Sequence, residues 1–304
     1  MADPTTKAAI VIRDLRSYED LGQIESVEKA IWGLADSDVL PLTITIALNE
    51  AGALWLGAFD GKKLVGFAFG FLGIDHSEIN IHSHMLGVLP SYRDFDLGHK
   101  LKLAQRERTL AMRIRDSRGG ESRIREMTWT FDPLQARNAH FNFTKLGVIS
   151  DRYKPDFYGP ATSSVLHQNG TDRLWVRWPL DSRRVRQRIE GKQNRTEVLD
   201  ALSVLMPLVR FIGDSQPQRT DLAAALSRQR IAVEIPSDIG LIEQNDTALA
   251  REWRAATRWA FTESLQAGFF VAEFCKTVRG QQGPGVYLLE KGTVGEYVPE
   301  MNRE

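Results

Sequence analysis

The sequence predicts an α/β chain of the α+β kind. Strand-length apolar segments and segments of helical spacing follow one another in the order β-α-β-β-β-α-β-α-β up to Leu180. Asp60-Gly61 lies between two apolar runs, Ala53–Phe59 and Lys63–Leu72, which is a hairpin signal. From Thr196 to Glu304 a further series of strands and helices predicts a smaller C-terminal α/β unit.

The elements follow from local pattern. Ile10–Leu15 is predicted as a strand. Leu21, Ile24, Val27 and Ile31 recur at helical spacing and predict one amphipathic helix over Tyr18–Trp32. Glycines stud the second hairpin strand at Gly66 and Gly70, which points to close packing or a bend. Ile79–Val88 alternates as a strand and stops at Pro90. Leu97, Leu101, Ala104, Ala111 and Met112 form an apolar stripe on a helix over Leu97–Ile114. Ile124–Phe131 is a strand. Asp132-Pro133 then opens a helix, Asp as N-cap and Pro in its first turn, which runs to Leu146 with Gly147 as its left-handed stop. Leu174–Leu180 is a strand. The charged stretch 181–195 reads as a linker or solvated helix. Beyond it come a helix over Val198–Phe211, a strand Ile231–Ile235 closed by Pro236, a long helix Thr247–Leu265, and strands Phe269–Phe274 and Val286–Leu289 around a turn at Gly280–Gly285.

Composition excludes several classes. The 304 residues are 42% hydrophobic, enough for a sizeable core. The 39 Lys+Arg balance the 39 Asp+Glu, so no global charge favours nucleic acid or an anionic membrane. No apolar run reaches the roughly 18 residues that span a bilayer. The polar start lacks signal-peptide architecture, and a cytoplasmic location is expected. A single cysteine, Cys275, rules out an internal disulfide and a cysteine-rich metal site. It reads as an inert small hydrophobe, and Trp129, Trp253 and Trp259 read as core residues.

The chemistry concentrates between Ile81 and Leu101, IHSHMLGVLPSYRDFDLGHKL. A strand enters a tight turn and then a helix, whose N-terminus suits a phosphate. Arg93, His99 and Lys100 add positive charge. This stretch resembles the signature of the GNAT superfamily of N-acetyltransferases: a strand ending Leu-x-Val-x-Pro-x-x-Arg, then a glycine loop opening a helix. Leu86, Val88, Pro90, Arg93 and Gly98 match it. Ala139–Val148, AHFNFTKLGV, resembles the second signature at Lys145 and Gly147. The resemblance covers residues 8–180, and WTFDPLQARNAHFNFTKLG is similar to a bacterial subgroup with extended C-termini.

The resemblance implies a mixed, mostly antiparallel sheet with flanking helices, splayed between the strands ending at Val88 and Phe131. It implies an acyl-CoA-dependent N-acyltransferase, with acetyl-CoA as donor and no metal. The acyl group passes to a primary amine by direct attack in a ternary complex. Leu86, Val88, Arg93, Asp94, Phe95, Asp96, Gly98, His99, Lys100, Asn138 and Phe143 fall at cofactor-binding positions. Asp96 replaces a loop glycine but tolerates left-handed geometry. Asp94 and Asp96 also bring negative charge to a pyrophosphate position. Phe143 stands where the family carries its thiol-protonating tyrosine, and Ala136, not Asn138, is in register with the family's asparagine.

His82 and His84 are the candidate bases. Spaced two apart on a strand, they share a face, and counting back from Val88 puts that face in the family's substrate cleft. An imidazole suits proton abstraction from an ammonium near neutral pH. The alternatives are a hydrogen-bonded structural pair or, without a third ligand in sight, a metal site. Tyr153 and Tyr158 are candidate acids in place of the lost tyrosine, or loop packing residues. The expected acceptor is a small-molecule or amino-acid-like amine, with homodimerisation open. The second functional reading is a GNAT-like protein that binds a ligand or partner without catalysing transfer. The C-terminal unit 196–304 reads as a degenerate half-GNAT or as an unrelated appendage.

Overall fold

The computed structural model describes residues 10–75, 78–115, 119–159, 169–192, 205–213, 215–276 and 284–296. The chain divides into two compact units, residues 1–129 with 162–168, and residues 130–161 with 169–304. The division falls inside the strand that ends at Phe131, not at the charged stretch 181–195.

The first unit begins with β1 (Val11–Asp14), α1 (Tyr18–Leu21), α2 (Ile24–Trp32) and α3 (Leu42–Glu50). The single helix predicted over Tyr18–Trp32 is two helices. The break at Gly22-Gln23 lets the Gln23 side chain accept from the Leu64 N–H and donate to the Lys62 carbonyl, anchoring the helices to the sheet. Gly33, at φ 64°, is the left-handed stop of α2. Then come β2 (Leu54–Asp60), β3 (Lys63–Asp75) and β4 (Glu78–Val88). Asp60 pairs with Lys63, so Gly61-Lys62 makes the hairpin turn, with Gly61 at φ 60°. A 3-10 turn, Pro90–Phe95, leads into α4 (Leu97–Ala111), followed by the hairpin β5 (Arg113–Arg115) and β6 (Glu121–Arg123), and by β7 (Glu126–Phe131). The β1-β2-β3-β4 ladders are antiparallel. The β4 ladder with β7 is parallel and holds only Ile81–Met127 and His82–Thr128.

Two cores sandwich this sheet. On one face Trp55, Phe67 and Phe69 pack with Leu21, Ile24 and Val27 of the helical pair and with Met85. On the other face Leu56, Ala58, Val65 and Ala68 pack with Leu97 and Leu101 of α4 and with Leu86 and Val88. The buried side of α4 is Leu97, Leu101, Lys102, Gln105 and Thr109, more polar than the predicted stripe through Ala111 and Met112.

Glu28 on α2 is fully buried. Its Oε2 accepts the Leu40 N–H, and its Oε1 has no partner. Burial, opposed by that hydrogen bond, pushes its carboxyl up from 4.5 to about 7. A raised carboxyl favours the protonated folded state, so stability is lost as pH rises from the unfolded value through the folded one. Glu28→Gln should therefore raise stability at pH 8, by on the order of 3 kcal/mol, and change it little near pH 4. Thermal melts of both proteins at the two pH values check this.

The second unit contains α5 (Ala136–Ala139), a π-helical run His140–Leu146, β8 (Ile149–Lys154), β9 (Arg173–Pro179), α6 (Arg183–Ile189), β10 (Pro207–Ile212), β11 (Gln216–Arg219), α7 (Leu222–Leu226), β12 (Arg230–Ile235), α8 (Ile239–Asn245), α9 (Thr247–Gln266), β13 (Phe269–Cys275) and β14 (Gly285–Lys291). Its strand order is β9-β8-β13-β14-β12-β10-β11. Among the described residues the β10–β12 ladder is parallel and the β10–β11, β12–β14, β13–β14, β8–β13 and β8–β9 ladders are antiparallel. The fold is thus the mixed, mostly antiparallel α/β class expected.

Several local expectations are corrected. The predicted helix Val198–Phe211 lies partly outside the described residues, and its remainder, Pro207–Phe211, is strand because it pairs with β12. Asp132 does not cap a helix. Its carboxylate accepts the Leu134 N–H and forks with Arg254, and the helix begins only at Ala136. Gly147, at φ 78°, does stop that helix. The charged stretch carries α6, with Val185 buried and Arg184 and Arg188 paired with Glu273 of β13. The turn at Gly280–Gly285 lies largely outside the described residues.

Candidate active site

The register of β3 and β4 explains the site. Leu89 donates its N–H to the Val65 carbonyl at 2.9 Å, so the hydrogen-bonded pairs alternate from there. Gly66–Val88 and Ala68–Leu86 are then the intervening pairs. The N–H groups of Val88 and Leu86 therefore point away from β3, toward the side where the β7 ladder has already stopped at His82–Thr128. A strand that offers unpaired N–H donors beside a parting ladder can hold a developing oxyanion.

Phe69 pairs with Met85, but Gly70 pairs with Ser83, so His84 is an extra residue, a bulge in β4. The bulge breaks the period-two count. Leu86 and Val88 pack on the α4 face, and Ser83 also bonds Gln105 of α4. His82 and His84 instead lie against Phe71 on the opposite face, with ring centroids at 5.5 and 6.2 Å. The expectation that the histidines share the Val88 face is therefore corrected. The expectation that they share a face with each other holds, with centroids 6.2 Å apart.

The two imidazoles differ. His82 Nδ1 is 3.0 Å from Thr128 Oγ1, which in turn contacts Asn80 Oδ1 at 3.5 Å. Asn80 Oδ1 can only accept, so the Thr128 hydroxyl donates to it and accepts from His82 Nδ1–H. That tautomer puts the lone pair on Nε2. His84 keeps an exposed edge, and burial of the rest of the ring among its neighbours lowers its pKa below the ordinary 6.5.

Arg93, Asp94 and Asp96 are exposed on the turn, and Phe95 is half-buried against Tyr92 at 6.0 Å. The Tyr92 hydroxyl ties the turn to Asp60 at 2.7 Å. Asp96 stands at φ 55°, in left-handed geometry, and its own side chain makes no cap bond to α4. The positive end of α4 at this turn suits an anion. Gly98 leaves the approach bare: a Cβ there would meet nothing nearer than Leu86 at 4.0 Å. His99 Nδ1 lies 3.2 Å from Asp96 Oδ2, and Lys100 is exposed. Asp96→Gly relieves the left-handed strain and removes one carboxylate. It should tighten anion binding at the helix start by up to about fivefold, read by titration with CoA.

The remaining candidates lie in the second unit. Phe143 is fully buried, edge-on to Phe131 and Tyr287, and is a core residue rather than a cofactor contact. Asn138 is exposed on α5. Tyr153 donates its hydroxyl to Asp172 and stacks on Phe261 at 5.6 Å. Burial, then the Asp172 charge, push its phenol well above the ordinary value. It is held as a structural donor and is a poor acid. Tyr158 is exposed and packs on Phe157 at 4.7 Å, with Arg173 over its ring at 5.1 Å. Among the described residues no group of three His, Cys, Asp or Glu could hold a metal. Thr128, Asn80 and Ser83 were not singled out from sequence, since only the register of β4 against β7 and α4 shows what they touch.

No family model and no curated protein matches this chain. Solved structures similar to it include a GNAT-family protein from Desulfovibrio desulfuricans, at 14% identity over 57% of this chain and 99% of that one, TM-score 0.41. The ribosomal-protein-S18-alanine N-acetyltransferase of Escherichia coli is similar at 15% identity over 56% of this chain and 94% of that one, TM-score 0.42. Naa50 of Arabidopsis thaliana, in complex with a bisubstrate analogue, is similar at 16% identity over 56% and 98%, TM-score 0.41. Among the described residues no helix is long and apolar enough to cross a membrane.

Proposed function

We propose that the chain is an acyl-CoA-dependent N-acyltransferase, with acetyl-CoA as the first donor to test. The observation that carries the reading is the run from β4 into α4. A bulged strand leaves its ladder after His82, turns the Val88 and Leu86 N–H groups outward, and enters α4 through a left-handed Asp96. The helix start with Gly98, His99, Lys100 and Arg93 suits the pyrophosphate of CoA. The Val88 N–H suits the thioester oxygen. His82 Nε2 takes a proton from the acceptor ammonium. The amine nitrogen then bonds to the thioester carbon, the C–S bond breaks, and the nitrogen's second proton passes, directly or through water, to the departing thiolate, so that CoA leaves as the thiol and the imidazolium returns its proton to water. The acceptor is a small-molecule or amino-acid-like primary amine.

The second reading, ligand binding without transfer, is favoured by Asp94 and Asp96 on the loop and by Tyr153 being tied to Asp172. An amine-library screen with acetyl-CoA and succinyl-CoA, reading thiol release, separates the two. Amine-dependent thiol release supports the transferase; CoA binding with no release from any amine supports the second reading.

A further inference from the structure

Behind the bulge, on the α4 face of the first unit, lies a lysine that the mechanism does not use. Lys102 is 2% exposed. Its Nζ donates to Ser83 Oγ at 2.7 Å and sits 3.7 Å from the centroid of the Trp129 ring. Ser83 Oγ donates in turn to Gln105 Oε1 at 2.9 Å. Among the described residues no carboxylate pairs with Lys102, and the buried Gln105 Nε2 has no partner. Burial alone pushes the ammonium well down toward the neutral amine. A methionine would fill this volume without that desolvation cost. An expensive buried donor points to what it holds, which is Ser83, the residue between the two histidines.

We propose that Lys102 is a positioning residue that, through Ser83, fixes the bulge at His84 and so presents both imidazoles on the opposite face of β4. In the competing register His84 would pair with Gly70 in place of Ser83, and its ring would turn toward α4. Pinning Ser83 Oγ to Lys102 and Gln105 excludes that register. The inference rests on the acyltransferase reading for its catalytic consequence, but its structural content can be measured without turnover. Among the described residues the titratable group facing His84 is His82, and the other rings against it are Phe69 and Phe71.

The test is an NMR titration of the His82 and His84 imidazoles in the full chain, for wild type, Lys102→Met and Ser83→Ala. In wild type His84 should titrate below its ordinary value. In both variants the imidazole titrations should move by about half a pH unit or more, as the rings change surroundings. With an active acceptor in hand, kcat should fall about tenfold while KM for acyl-CoA stays within about twofold. Imidazole titrations unchanged from wild type in the variants overturn the proposal. If Lys102→Met does not fold, Ser83→Ala alone decides, because it removes one hydroxyl and keeps the lysine. A shifted titration in a protein that transfers no acyl group leaves the positioning claim standing and removes the acyltransferase reading. An active wild type with unshifted variants does the reverse.

Discussion

His82→Ala should lower the acyl-transfer rate by about 10²–10⁴-fold while leaving CoA affinity within about twofold. The reason is geometric. The chain from His82 Nδ1 through Thr128 to Asn80 suits the tautomer with its lone pair on Nε2. The proposed anion-binding turn begins at Pro90, beyond this ring on the chain. In wild type kcat should rise with pH as the imidazole loses its proton, and that limb should vanish in the variant. His84→Ala should cost less, since among the described residues His84 has no such hydrogen-bonded orienting partner and stands as a neighbouring ring to His82. Measuring kcat against pH for both single variants and the double variant settles the matter: unchanged rates and profiles in all three would make the pair structural.

The second large effect is on stability. Arg254→Ala should destabilise the protein by about 3–5 kcal/mol, because it strands a buried carboxylate. Arg254 forks onto Asp132 at 2.8 and 2.7 Å, and its Nε donates to the Asn169 carbonyl at 2.7 Å. Both members of the pair are almost wholly buried. One turn further along α9, Arg258 binds Asp172 and Asp156. Burial alone would raise the Asp172 carboxyl, but Arg258, the Asp156 N–H and the Tyr153 hydroxyl hold it below the ordinary value. The midpoint of thermal unfolding should fall by on the order of 10 °C. Replacing both Arg254 and Asp132 by apolar residues should recover much of the loss, since the pair's worth lies mainly in not leaving one charge alone. A double variant no more stable than Arg254→Ala would contradict this account of the pair.

Much of the fold was legible because its elements carry their own pattern. The Asp60-Gly61 hairpin, the β4 strand, α4 and the long helix α9 each declare themselves by alternation, helical period or punctuation, and each stands within a few residues of its expected range. What was not legible depends on partners distant in sequence. Pro207–Ile212 becomes strand by pairing with β12. Asp132-Pro133 has the outline of a helix start, but Arg254, far along the chain, claims the carboxylate. The π-helical run His140–Leu146 is held partly by Trp178 Nε1 on the Leu146 carbonyl, which no local pattern announces.

At the candidate site, the turn into α4 could be read from Val88, Pro90, Arg93 and Gly98. The orientation of the histidines could not. One inserted residue at His84 reverses the face of each residue counted back beyond it, and a bulge leaves no mark in a sequence that alternates on both sides of it. Lys102 was hidden for a similar reason. A lysine beside an apolar stripe reads as a solvated boundary residue, and only the approach of Ser83 and Trp129 makes it interior.

The central claim is that CoA binds where β4 runs into α4. The most direct measurement is a titration of CoA into the labelled full chain, following backbone amide shifts together with affinity for wild type and Arg93→Ala. The account predicts saturable binding, with the largest shifts at Leu86, Val88, Gly98, His99 and Lys100, and weaker binding in Arg93→Ala. Absence of binding, or shifts concentrated away from these amides with Arg93→Ala unchanged, would contradict it.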